Sequence, residues 1–373
     1  MAALTVVFRA DASLQIGTGH IMRCLSLADA LKARGARCHF ITREHPGNLI
    51  HYLRRRGYDT HVLPHIGGDS VEGVGPSTLS GSGEPTHIRW LGTTQQQDAQ
   101  QCEEVLSTLE AEWLIADHYA LDACWEGRLR PFYRKLMVID DLADRPHLCD
   151  LLLDQTFGRE RKDYEPLLPG RCITLCGAQF ALLRPEFAAL RAYSLARRRS
   201  SPLESLLVTM GGIDKDNATG LVLQALSVAD VPQDCRITVV MGSNAPWLQS
   251  VRQQAEQYPL QVDVRVDVTD MARLMAESDL AIGAAGSTSW ERCCLGVPTV
   301  MIVLADNQRE VAKGLEGIGA AQILHGPQDI VSQLPAMLES LLSSPADRTR
   351  MSLAASSVAD GSGLSKVIDF LEQ

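Results

Sequence analysis

The stretch Gly17-Thr18-Gly19-His20-Ile21-Met22-Arg23, with Val6-Val7-Phe8-Arg9-Ala10-Asp11-Ala12 before it, decides how the rest of the chain is read. The apolar run at 6–8 predicts a short buried strand. Gly17 and Gly19 punctuate a turn, and Ile21, Leu25, Leu27, Ala28 and Leu31 recur at helical spacing. Strand, glycine-rich turn and helix open a doubly wound α/β domain. Such a turn aims the first unpaired N–H groups of the helix at whatever lies above the strand ends. His20 begins the helix, and histidine is the side chain suited to taking a proton from water near neutral pH. Arg9 and Asp11 leave the strand end, and Arg23 follows one turn on, on the same face as His20. A plain βα turn with a partly buried histidine competes with this reading, because Gly-x-Gly alone is a weak signal. Four polar side chains converging on one turn are hard to explain by core packing, so His20 is assigned the role of a general base.

The chain has 373 residues, enough for two domains of ordinary size, and its 45% apolar content supplies two cores. A net charge of −10 argues against nucleic-acid and membrane-surface partners, which reward basic patches. It leaves room for a phosphorylated small molecule, which needs only local donors. No run reaches the roughly 18 continuous apolar residues of a membrane span, and no signal-peptide core precedes the first strand. The ten cysteines are scattered without a Cys-x-x-Cys. They predict buried thiols in a reducing cytoplasm. No obligate protein partner is evident.

Strands at 38–42 and 60–63 alternate with a helix at 49–56, which points to a parallel sheet. Residues 65–87 are rich in Gly, Ser and Pro and read as a surface loop. A helix follows from about Gln95 to Glu110. The strand Trp113-Leu114-Ile115-Ala116 ends in Asp117-His118-Tyr119, at the carboxyl edge where open α/β sheets bind ligands. Further strands at 136–139 and 151–154 end in acids that are read either as helix caps or as a polar rim. The run Arg197-Arg198-Arg199-Ser200-Ser201-Pro202 reads as a solvated linker, which divides the chain into domains at 1–190 and 200–373.

The second half repeats the pattern without repeating the sequence. A strand at 206–210 runs into Gly211-Gly212, and a strand at 280–283 leads to Ala284-Ala285-Gly286-Ser287-Thr288-Ser289-Trp290-Glu291. The small-residue turn suits a phosphate, and Glu291 suits ribose hydroxyls. The competing reading is a capping box between Thr288 and Glu291, which have the required spacing. Asp214-Lys215-Asp216 matches an Asp-x-Asp metal string, but its place after a Gly-Gly turn reads better as a helix start.

Across nearly its whole length the chain resembles the GT-B superfamily. Within it, the chain resembles the UDP-sugar hydrolases of pseudaminic acid biosynthesis, relatives of the bacterial transferase that adds GlcNAc to lipid II. The resemblance rests on Arg9-Ala10-Asp11-Ala12 with Ile16 to Arg23, on Asp117-His118-Tyr119, and on Ile139 to His147. It continues in Ala181 to Phe187, Met210 to Asp214, and Ala285 to Glu291. It implies two Rossmann-like domains with a sugar nucleotide in the cleft between them. It also implies inverting, metal-independent and cofactor-free hydrolysis of UDP-2,4-diacetamido-2,4,6-trideoxy-β-L-altropyranose to the free sugar and UDP. His20 matches the family's catalytic histidine. Substrate contacts are expected at Arg9, Asp11, Gly17, Gly19, Arg23, Asp117, Tyr119 and Arg184 in the first domain. In the second they are expected at Met210, Gly211, Gly212, Ser287, Thr288, Glu291, Asn307 and Gln308. UDP is a good leaving group, so such an enzyme needs a base that aims water at C1 and fixed donors on the diphosphate. A glycosyltransferase of the same fold and a non-catalytic sugar-nucleotide-binding module are the alternatives.

Overall fold

The computed structural model describes residues 4–65, 87–198 and 203–372. The chain forms two compact units, Met1–Asp154 with Glu160–Leu175, and Gln155–Arg159 with Cys176–Gln373. In the first unit the strands are β1 (Thr5–Ala10), β2 (Arg37–Arg43), β3 (Asp59–Leu63), β4 (Ala111–Asp117), β5 (Tyr133–Ile139), β6 (Leu151–Asp154) and β7 (Ile173–Cys176). They lie in the order β3-β2-β1-β4-β5-β6-β7. β1 pairs parallel with β2 and with β4, in a register that sets Ala10 beside Asp117. Every residue of β1 is buried, as a parallel sheet covered on both faces requires. The helices are α1 (Gly19–Ala33), α2 (Ile50–Arg55), α3 (Gln95–Leu106) and α4 (Ala123–Leu129). Helix α3 starts in a capping box, with Thr94 accepting from the Gln97 N–H. It ends short of the predicted Glu110, where the Ser107 and Thr108 hydroxyls turn back onto the carbonyls of Glu104 and Val105.

The chain runs outward from β1 to β3 and then returns to the other side of β1. The carboxyl ends of β1 and β4 therefore flank the switch point of the sheet, where doubly wound folds bind ligands. The loop predicted at 65–87 falls, apart from its two ends, outside the described residues.

The second unit carries α5 (Pro185–Arg197), β8 (Ser205–Thr209), α6 (Ala218–Leu226), β9 (Arg236–Met241), α7 (Leu248–Glu256) and β10 (Val262–Val266). It continues with α8 (Met271–Glu277), β11 (Leu280–Ala284), α9 (Thr288–Cys294), β12 (Thr299–Ile302), α10 (Arg309–Gly317) and β13 (Gln322–Leu324). Three helices close it, α11 (Ile330–Ser343), α12 (Pro345–Ser356) and α13 (Gly363–Leu371). The strand order is β10-β9-β8-β11-β12-β13, so the switch point lies between β8 and β11.

The boundary differs from the predicted one. Helix α5 packs on α8 and α9, and its fully buried Phe187 joins the second unit's core, so the second unit begins at Cys176. The pentapeptide Gln155–Arg159 also belongs there: Gln155 Oε1 accepts the Leu182 N–H at 2.7 Å. Phe157 closes over Gly314, where an added Cβ would sit 3.1 Å from its ring. The basic run is corrected as well. Arg197 pairs with Asp279 at 2.5 Å, and Arg198 is buried, donating to the carbonyls of Met275, Ser278 and Leu295. Burial pushes the Arg198 guanidinium down to about 10. Residues 199–202 lie outside the described residues. Among the described residues no helix is long and apolar enough to cross a membrane.

Candidate active site

His20 stands in the first turn of α1, at the carboxyl end of β1, and Asp117 is the last residue of the neighbouring β4. The His20 Nδ1 lies 2.5 Å from Asp117 Oδ1. Burial alone would raise the Asp117 carboxyl, but Arg23 and His20 together hold it far below the usual range, so it is a carboxylate. The hydrogen in this contact therefore sits on Nδ1, and Nε2 is the ring nitrogen not engaged with Asp117. Arg23 donates to both Asp117 oxygens at 2.7 Å, and to Asp141 at 2.7 Å. Tyr119 stands edge-on to the His20 ring with centroids 4.7 Å apart, and its hydroxyl donates to Asp141 at 3.0 Å. His20, Arg23, Asp117 and Tyr119, all predicted at the site, thus meet in one cluster. Gly17 adopts a left-handed φ of 80° with its N–H on the Ser13 carbonyl, and Gly19 opens α1.

Arg9 and Asp11 have a different place. Both are fully buried beneath the cluster. Arg9 donates to Asp98 at 3.2 and 2.6 Å and to Asp11 at 2.7 Å. Arg43 and the Trp125 indole also donate to Asp98. Asp11 Oδ1 further accepts from the Thr42 hydroxyl and the Arg43 N–H. All three guanidinium nitrogens of Arg9 thus bond to buried carboxylates within the fold. Burial would raise the Asp11 carboxyl, but Arg9 holds it well below its ordinary range. The Nε2 atoms of His45 and His118 each face Asp11 Oδ2 at 3.5 Å. His118 Nδ1 accepts the Ala120 N–H at 3.0 Å, and burial pushes its ring down to about 3.

In the second unit the turn after β8 holds Met210, which is buried, and Gly211, whose φ is 90°. The Gly212 carbonyl accepts the Gly242 N–H at 3.1 Å. A Cβ on Gly242 would sit 2.3 Å from that carbonyl, so the approach needs glycine. Asp214 accepts the N–H groups of Ala218 and Thr219 at 2.8 and 2.9 Å. Both of its oxygens thus organise the start of α6. The turn after β11 adjoins the turn after β8, because Gly283 pairs with Thr209. Ser287 occupies the N-cap position of α9 without a side-chain capping bond, so the capping box between Thr288 and Glu291 is not formed. Thr288 instead accepts from the buried Arg292, which also donates to Ser289 and to the Ala284 carbonyl. Burial raises the Glu291 carboxyl to about 7, with Arg184 and Arg292 pulling the other way. Arg184 itself donates to the Thr269 carbonyl and pairs with Glu186 at 3.2 Å. Gln308 accepts the Leu304 N–H, and its amide nitrogen approaches the space beside Gly286; Asn307 precedes it in the same turn.

Residues 206–364 match the glycosyltransferase family 28 C-terminal domain. The whole chain aligns with a crystal structure of Acinetobacter baumannii MurG at a TM-score of 0.66 and 16% identity, covering 100% of this chain and 99% of that one. This chain has the GT-B fold. In sequence it is 26% identical to the UDP-2,4-diacetamido-2,4,6-trideoxy-beta-L-altropyranose hydrolase of Campylobacter jejuni over 84% of this chain and 96% of the relative. It is 31% identical to the spore coat polysaccharide biosynthesis protein SpsG of Bacillus subtilis over 52% of this chain, and spans 57% of that relative's length.

The two marked turns of this GT-B chain each lie at the switch point of their own sheet. Several residues around them were not singled out in sequence. Asp141 falls within the 139–147 stretch, but nothing in its spacing announces the bond from Arg23, 118 residues away. Asp98 interrupts an apolar helix face one turn before Cys102, a pattern that signals a buried acid needing a partner. His87 and Trp90 border Tyr119 at 5.5 and 5.9 Å between ring centroids, and nothing in their spacing announces it.

Proposed function

We propose that this chain hydrolyses a UDP-sugar at its anomeric carbon, converting UDP-2,4-diacetamido-2,4,6-trideoxy-β-L-altropyranose and water to the free sugar and UDP, with inversion. The observation that carries the reading is the His20–Asp117 pair. It presents a histidine whose Nε2 lone pair can accept a proton from water, with its tautomer set by a carboxylate that stays ionised. Nε2 takes a proton from the attacking water, oxygen bonds to C1, and the bond from C1 to the UDP oxygen breaks with its electron pair leaving on UDP. The Gly211–Gly212 turn and the backbone and hydroxyls of Ser287 and Thr288 are assigned to the diphosphate. Glu291 is assigned to the ribose. Likeness to the Campylobacter hydrolase over nearly its full length supports this substrate.

The match to a glycosyltransferase family supports a second reading, transfer of the sugar to an acceptor hydroxyl. Incubation with the UDP-sugar alone separates them. Stoichiometric and continuing release of UDP and free sugar, with the α- or β-configuration of the first-formed product followed by NMR, supports hydrolysis. UDP release that requires an added acceptor supports transfer.

A further inference from the structure

Beside the catalytic histidine lies an aromatic group for which the chemistry so far has no use. The His87 and Trp90 rings pack against each other with centroids 4.4 Å apart, and both border Tyr119. Tyr119 in turn stands against His20. Trp90 sits on a short turn, Ile88–Leu91, in which Leu91 is the buried residue; His87 and Trp90 stay partly exposed. Among the described residues no acceptor takes the indole N–H of Trp90. Burial holds the His87 ring below its ordinary range, with Arg145 and His20 adding to the effect and Asp144 opposing it. A neutral imidazole and an indole therefore make a half-open aromatic wall without net charge, one ring away from the base, with the indole N–H as a donor.

We infer that Trp90 and His87 recognise the sugar of the substrate, and that they select sugars carrying an acetamido group at C4 and a methyl group at C6 over those with hydroxyls at these positions. This rests on the UDP-sugar reading of the His20 site. Aromatic faces favour C–H and methyl groups, whereas hydroxyls placed against them lose hydrogen bonds to water without replacement. A 6-deoxy sugar offers a methyl group at C6, and the acetamido group at C4 offers another methyl together with a carbonyl able to accept the indole N–H; the acetamido group at C2 is shared with UDP-GlcNAc and gives no discrimination. The hydroxyls at C4 and C6 of UDP-GlcNAc offer neither.

The test uses the full chain and four proteins: the parent, Trp90→Ala, Trp90→Phe and His87→Ala. It measures KM and kcat for UDP-2,4-diacetamido-2,4,6-trideoxy-β-L-altropyranose, the inhibition constant of UDP-GlcNAc, and the dissociation constant of UDP. Trp90→Ala is expected to raise KM about tenfold. It should move the UDP-GlcNAc constant by less than about threefold and leave UDP binding unchanged. Trp90→Phe should recover most of the lost discrimination, since it keeps a ring face, and it guards against misreading a misfolded alanine variant. Equal weakening of both sugars by Trp90→Ala and by Trp90→Phe, or no change in either, overturns the inference while leaving hydrolysis standing. A parent protein that releases no UDP from the diacetamido sugar overturns the hydrolase reading itself.

Discussion

His20 Nδ1 and Asp117 Oδ1 stand 2.5 Å apart, yet Asp117 is not His20's alone: Arg23 grips both of its oxygens at 2.7 Å. The arginine keeps the carboxylate ionised and aligned, and so keeps the hydrogen of the histidine on Nδ1. The histidine is thus oriented by a buried ion pair drawn from two neighbouring elements, α1 and β4. Its alignment depends on the sheet register that sets Ala10 beside Asp117.

Replacing His20 by alanine or asparagine is expected to lower kcat by about 10²–10⁴-fold, the usual contribution of a general base. UDP affinity should stay within a factor of two, because UDP is assigned to the second unit. Calorimetry with UDP and a UDP-release assay check both halves. A kcat within tenfold of the parent would remove His20 from the chemistry.

Asp117→Asn tests the orientation. An amide NH₂ turned toward Nδ1 would favour the tautomer with its hydrogen on Nε2, and Arg23 would lose a charged partner. The expected result is a kcat loss comparable to that of the His20 variants, with KM little changed. A lower melting temperature should accompany it, because breaking a buried pair costs about 3–5 kcal/mol. Unchanged kcat would show that the pair only braces the fold.

Arg9→Met should act on stability rather than catalysis. It leaves Asp11 and Asp98 buried without their principal cation, a loss of about 3–5 kcal/mol visible in urea unfolding. The parent should also show acid sensitivity traceable to Asp11, Asp98 and Asp117. Their folded-state values lie below the unfolded one. The unfolded chain therefore binds more protons in that interval, and the stability they contribute is present above about pH 4 and lost as the pH falls. A raised KM with unchanged unfolding midpoint would instead place Arg9 on the substrate.

Glu291→Gln has a pH signature. The folded carboxyl titrates at about 7, above its value of about 4.3 in an unfolded chain. The folded state therefore holds the extra proton between these values, and stability falls as pH rises from about 4.3 to 7. Glutamine cannot ionise, so the variant should gain in melting temperature relative to the parent at pH 8 and not at pH 4. Its UDP affinity should fall about tenfold if the carboxyl grips ribose. Loss of stability at every pH with affinity unchanged would make Glu291 purely structural.

Excess EDTA is expected to leave turnover intact, and added Mg²⁺ to leave it unstimulated. The Asp-x-Asp string is the natural place for a divalent ion, but both oxygens of Asp214 already accept backbone N–H groups of α6. A reversible collapse on chelation would reopen the question, with Asp214→Asn as the next variant.

Much of this was legible because doubly wound sheets write themselves strongly into sequence. The buried strands around 6–8 and 280–283 and the glycine turns after β1 and β8 are contiguous signals, and the structure places them as read. Short edge strands were not legible: β7 and β13 have only four and three residues, too few for a period to emerge. Charge at a distance was the other blind spot. Arg9 and Asp98 are 89 residues apart, and no local pattern tells an arginine aimed at substrate from one aimed at a buried acid. For the same reason Arg198 reads as a solvated linker residue although four carbonyls accept from it.

The pentapeptide Gln155–Arg159 has a consequence for how the chain is made and remade. The polypeptide leaves the first unit at Asp154, spends these residues in the second, and returns before departing at Cys176. When residue 176 clears the ribosome, the first sheet has all its strands but Gln155 and Phe157 have nowhere to dock, because Leu182 and Gly314 do not yet exist. Halves obtained by cutting the gene once, between 175 and 176, would inherit this debt in opposite senses: one carries a pentapeptide with no host, the other lacks it. A chimaera that exchanges the C-terminal half between relatives must therefore carry residues 155–159 across with it, as an island inside the N-terminal half.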